Sequence, residues 1–187
     1  MSNDRNDKRP RLSLYTLDRP ALQAFSKELK ALLLADDRKG LAAALGLGES
    51  LAARLAEGPR AVDWFLRPES DAEAAPLFAS LRRVAKKRAL ELSWTSTEPS
   101  LEGRLRHFDL LREDATIASL LDKLLDSSRL PWFLVRPGAT SGWLDGPKRE
   151  ELGRELRQLK DALPKELAVF SDALGEIDGA VVAHDQL

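Results

Sequence analysis

Apolar residues in this chain recur three and four places apart, segment after segment, between proline and glycine stops. Leu22, Phe25, Leu29 and Leu32 follow this spacing, as do Leu101, Leu105, Phe108 and Leu111, and Ile117, Leu120, Leu121, Leu124 and Leu125. A period near 3.6 places such residues on one stripe of an α-helix. A chain built this way has to bury several one-sided helices against a shared core.

The stops agree with the stripes. Asp18 can cap a helix with Pro20 in its first turn, and Asp36 or Asp37 can open the next, closed by Gly46 or Gly48. Glu49 or Ser50 opens a further piece, which Gly58-Pro59 ends. "RAVDWFLRPES" adds a turn or two, and "DAEAAPLFASLRRVAKKRA" reads as the longest helix of the first half, with Phe78, Leu81 and Ala85 inward. Residues 99–128 read as two helices, and another follows Pro164. Three stretches have strand character: "RLSLYTL" (11–17), "LELSWTS" (90–96) and Val181-Val182. The expected fold is therefore α+β and predominantly helical, with about seven or eight helices and a small sheet of two or three short strands. Residues 1–10 read as a disordered tail and 11–187 as a single globular domain.

Composition excludes several classes. The 187 residues are 43% hydrophobic and 32% charged, as expected of a folded chain. No apolar run approaches the roughly 20 residues that span a bilayer, and "MSNDRNDKRPR" lacks the apolar core of a signal peptide, so a cytoplasmic location is expected. There is no cysteine, which removes disulfides, thiolate nucleophiles and zinc fingers. The net charge is −1, with +4 in residues 1–95 and −5 in residues 96–187. That is far from the basic excess of a dedicated nucleic-acid binder.

Catalytic signatures are missing. HExxH, GxSxG, GxxxxGK[ST] and GxGxxG do not occur. His107 reads as a partly exposed helix residue, and His184 in "AHDQL" offers too few ligands for a metal. No cofactor is expected, and the reading is against an enzyme, although an activity of an unlisted kind stays open.

Candidate contacts remain. Arg82, Arg83, Lys86 and Lys87 in "RRVAKKR" share one helical face that can grip phosphates or an acidic partner, or simply pair with neighbouring acids such as Asp71 and Glu73. Of the four tryptophans, Trp132 in "LPWFLVRPG" and Trp143 in "SGWLDG" are candidate surface contacts. Trp143 is expected in a glycine-flanked turn before a 147–162 helix. Leu152, Leu156, Leu159 and Leu163 form that helix's buried stripe, and Glu150 and Arg154 are expected to pair across a turn. Trp143 and Leu144 are expected to fix the chain's entry by packing on "PWF", with Gly142 allowing close approach or positive φ.

"LSLYTLD" running into a helix, "SGWL" before a charged helix, and a closing "AVVAHD" strand together resemble a group of small bacterial domains of unknown function. Some of that group are placed among polymorphic-toxin immunity proteins. The resemblance implies a cytoplasmic α+β domain that binds another protein and has no catalytic residues. The leading expectation is thus a non-enzymatic protein-binding domain, an immunity or regulatory module. The alternatives are nucleic-acid binding through helix 82–88 and an enzyme without a recognisable motif.

Overall fold

The computed structural model describes residues 11–66, 71–126, 131, 134 and 141–185. The tail expected at 1–10 and Trp132 of "PWF" lie outside them. In chain order, β1 (Leu12–Leu17) is followed by α1 (Arg19–Leu34), α2 (Arg38–Ala44), α3 (Glu49–Glu57), α4 (Ala61–Phe65) and α5 (Ala75–Ala89). Then come β2 (Leu90–Thr95), α6 (Leu101–His107), α7 (Asp109–Glu113), α8 (Ala115–Leu125), β3 (Ser141–Leu144) and α9 (Gly146–Gln158). A 3-10 turn (Lys160–Ala162), α10 (Lys165–Glu176) and β4 (Val181–Asp185) complete the order. The fold is α+β and mostly helical. Its ten α-helices and four strands among the described residues exceed the numbers expected from the sequence.

Two local events account for much of the difference. The first helix expected after residue 99 breaks at Phe108, whose ψ of 115° is extended, so α6 and α7 are separate. Asp114 then opens α8 by accepting from the backbone N–H groups of Thr116 and Ile117. "SGWL" is a strand rather than a turn. α5 is also shorter than α1, at 15 residues against 16, and like α1 it starts with a proline in its first turn.

Contacts divide the chain into two compact units. One comprises residues 1–17, 91–130 and 138–187, and the other residues 18–90 and 131–137. The first holds the sheet, in the order β2-β1-β4-β3. β4 runs antiparallel to both β1 and β3, placing His184 opposite Ser13 on one side and Ser141 on the other. On one face, Leu12, Leu14, Leu144, Val181 and Ala183 join Leu105, Leu121, Leu152, Leu156, Phe170 and Leu174 in a continuous core. α8 lies directly on β3: a Cβ at Gly142 would stand 2.5 Å from the carbonyl oxygens of both Lys123 and Leu124. Gly142 is needed for this close approach. Its φ is not positive.

In the second unit, the stripe of Leu22, Phe25 and Leu29 on α1 is buried, with Leu77, Phe78, Leu81 and Ala85 of α5. Asp37 caps α2 by accepting from Gly40 N–H, and Gly46 takes positive φ after it, as the spacing implies. Asp36 does something that its sequence position does not suggest. It adopts φ 50°, a left-handed conformation in which few side chains other than Asn and Asp are found. Its carboxylate accepts from the N–H of Ala61 at the start of α4 and faces the Arg38 guanidinium. Arg38 in turn donates to the carbonyls of Ala56 and Gly58, both at 2.8 Å. One aspartate thus ties the end of α1 to the α3–α4 connection.

The Ala61 N–H bond, and then Arg38, hold the Asp36 carboxyl below its ordinary value of 3.8. The ionised form is the one the fold favours. Its contribution is therefore present above that value and is lost as pH falls through the lower folded value. Asp36→Asn keeps an acceptor and tolerance of the left-handed conformation but loses the charge. It is expected to be less stable than the parent at neutral pH, with the gap narrowing below pH 3.8. Urea midpoints measured against pH test this. A gap that does not vary with pH would remove the charge from the account.

Candidate functional site

β2 stands at an end of the sheet, so its outer backbone groups have no neighbouring strand among the described residues. Its inner side is tied to β1 by side chains as well as by the ladder: Ser13 Oγ meets Thr95 Oγ1 at 3.0 Å, and Thr16 Oγ1 meets Ser93 Oγ at 2.8 Å. Glu91, Leu92 and Ser93 are all exposed, Leu92 by 57%. An open edge carrying an exposed leucine is a template for another strand.

Beside this edge lies a cleft of about 350 Å³, bounded by Thr16 of β1, the Glu91–Trp94 stretch of β2, and Ala173, Glu176, Ile177 and Asp178 at the end of α10. Trp94 forms a half-buried wall, set edge-on to the buried ring of Phe170 with centroids 6.1 Å apart. Among the described residues, no lysine or arginine lines the cleft. Glu91, Glu176 and Asp178 are exposed, and none of them is in an ion pair among the described residues.

The charge at the end of α10 runs against helix electrostatics. The C-terminus of a helix carries partial negative charge and favours cations. α5 ends in Lys86, Lys87 and Arg88, and α6 in Arg104, Arg106 and His107. α10 has no basic residue in its last turn, ends on Glu176, and is followed two residues later by Asp178. The carboxylates and the helix end add together, so the potential in the cleft is negative.

The candidates named from the sequence lie elsewhere. Arg82, Arg83, Lys86 and Lys87 share α5 in the second unit. Arg83 and Lys87 are exposed. Arg82 and Lys86 are half-buried, and each is already engaged in an interaction within the fold. Arg88, next in line, pairs with Glu28 and lies 4.9 Å from the centre of the Phe25 ring. Trp64 is buried, and Trp132 lies outside the described residues.

Trp143 is in β3 opposite Val182, half-buried and already engaged in an interaction within the fold. Its neighbour Leu144 points into the core at 1% exposure. The packing expected on "PWF" falls outside the described residues. The helix after it starts as the sequence implies, with Asp145 accepting from Lys148 N–H, and with Leu152 and Leu156 buried. The Glu150–Arg154 pair does not form. Arg154 turns to Glu155, and Glu150 to Arg149, which is 6% exposed and also donates to the carbonyl of Gly179. Burial of Arg149 draws Glu150 back along the helix. Trp143→Ala is expected to cost about 2 kcal/mol, less than a fully buried indole, because part of the ring is in solvent. Urea unfolding measures it, and no loss of stability would make Trp143 a surface contact.

The histidines divide. His107, expected to be a partly exposed helix residue, is exposed at the end of α6. His184 is not a tail residue: it is 2% exposed in β4 and engaged within the fold. Pairing across β4 makes Ser13, His184 and Ser141 a buried polar row. Among the described residues, no three histidine, aspartate or glutamate side chains gather to hold a metal, and no helix is long and apolar enough to cross a membrane.

The cleft residues Glu91, Trp94, Glu176 and Asp178 were not singled out from the sequence. The available signal was "LGEIDG", two acids at a helix C-terminus where the dipole disfavours them. In comparisons with known proteins, no family model, curated protein or solved structure matches the chain.

Proposed function

We infer that this chain is a non-enzymatic protein-binding domain, cytoplasmic and of the bacterial immunity or regulatory kind that its sequence resembles. The observation that carries the reading is the open edge of β2, with exposed Leu92 beside a cleft walled by Trp94. An apolar side chain, an aromatic wall and unpaired backbone groups together are what strand addition uses. The nucleic-acid alternative is weaker, because two of its four cations are already engaged within the fold.

A photo-crosslinking residue at position 92, expressed in the source cells, tests the reading. The control is the same residue at position 34, where Leu34 is 74% exposed on the helical unit. A discrete adduct from position 92 and none from 34 is expected. Identical adduct patterns from both positions, or none from 92, would remove the β2 edge as the docking surface.

A further inference from the structure

We propose that the partner segment is an extended strand bearing lysine or arginine, which adds to β2 as a fifth strand and places a cation in the cleft between Trp94, Glu91, Glu176 and Asp178. This rests on the protein-binding reading above and names the chemistry of what binds.

Two occupants compete for an open strand edge: a second copy of the same chain, or another protein. Charge decides between them. Pairing two β2 edges would gather the carboxylates of Glu91, Glu176 and Asp178 from both copies, together with two helix C-termini. Among the described residues, no lysine or arginine of the cleft would offset them. Like charges facing each other across a strand pair are destabilising. The acids therefore guard the edge against self-pairing, as edge strands commonly require. A partner strand with basic side chains meets the opposite situation. Alternate residues of an added strand point to the same face, so every second side chain can reach toward the α10 side. There a guanidinium or ammonium group finds the indole of Trp94 and three carboxylates that make no ion pair among the described residues. Leu92, exposed next to the cleft, offers an apolar contact for the stem of such a side chain.

The proposal explains an otherwise unfavourable arrangement. Glu176 and Asp178 at a helix C-terminus oppose the dipole in the free protein. Residues that lower stability without local compensation are the ones expected at a binding surface. Glu176→Gln combined with Asp178→Asn is accordingly expected to raise the melting temperature of the free protein by about 2 °C. The same change is expected to weaken binding. Acids kept for structure would lower the melting temperature instead.

The test uses the full chain and two short peptides, one alternating arginine with valine and one alternating glutamate with valine. Amide resonances and amide exchange are followed on titration. The arginine peptide is expected to shift and protect the amides of Leu90–Thr95, and the glutamate peptide to leave them unchanged. Glu91→Lys with Glu176→Lys is expected to weaken the arginine peptide about tenfold, and high salt to weaken it further. Equal binding of the two peptides, shifts confined to residues away from β2 and the cleft, or indifference to the charge reversal would overturn the proposal. So would concentration-dependent dimerisation that protects the β2 amides without any peptide. If position 92 still gives its crosslinked adduct while the arginine peptide fails, the docking surface stands and only its basic partner falls. If both fail, the protein-binding reading falls with it.

Discussion

Gly142→Ala is expected to destabilise the protein by about 3 kcal/mol, near the upper end for an overpacked site. The added carbon would sit 2.5 Å from two backbone carbonyl oxygens of α8, and backbone cannot swing aside as a side-chain tip can. Either α8 lifts from β3, opening the core around Leu121, Leu124 and Leu144, or β3 leaves β4. Each route gives up buried apolar contact. Gly103→Ala is the control. Gly103 lies inside α6 with nothing within 4 Å of the added carbon, so alanine there is expected to gain about 0.5–1 kcal/mol through helix propensity. Urea unfolding with amide exchange at β3 and β4 separates the two. A loss below about 1 kcal/mol for Gly142→Ala would mean that α8 is not seated on the strand.

Phe170→Ala is expected to cost about 4 kcal/mol. Phe170 is fully buried on α10 within the core of the first unit, and its loss leaves a cavity that close packing can only partly fill. It also supports Trp94, whose indole stands edge-on to it. A double-mutant cycle with Trp94→Leu is expected to show a coupling of about 1 kcal/mol between the two rings. Additive losses would mean that Trp94 is held in place by other contacts. A cost for Phe170→Ala below about 2 kcal/mol would show a core able to collapse around the gap.

The helical content was legible because its determinants are local. Asp18, Asp37 and Asp145 each cap a helix through a hydrogen bond reaching three residues ahead. Leu22, Phe25 and Leu29 of α1, the five-residue stripe of α8, and Leu152 and Leu156 of α9 are buried at the expected spacings. Leu32 and Leu159, expected in the same stripes, are half-buried, and α9 ends at Gln158, before Leu159 and Leu163. The break at Phe108 was not legible. The spacing Leu101, Leu105, Phe108, Leu111 fits one helix, and all but Phe108 are buried although two helices carry them. Periodicity reports which face is apolar and not whether the backbone between the faces is continuous. Strand β3 escaped for a related reason: four residues cannot display an alternation, and the ladder that makes "SGWL" a strand is supplied by β4, some 40 residues later.

The cleft is the extreme case. It joins Thr16, the 91–94 stretch and the 173–178 stretch, three pieces that no window of sequence contains together. Asp36 capping α4 from 25 residues away is a smaller instance of the same thing.

By itself, then, the sequence determined where most helices start and stop, which faces they bury, and that the chain is α+β. Those outcomes follow from bonds between residues at most four apart and from apolar periodicity. The tertiary structure alone decided that β4 lies in the middle of the sheet, that His184 is buried in it, and that β2 is an edge with no neighbouring strand among the described residues, beside an acidic cleft. Strand order, burial and the meeting of distant charges depend on partners far away in the chain, and a strand acquires its backbone bonds only from a neighbour that folding must first bring to it.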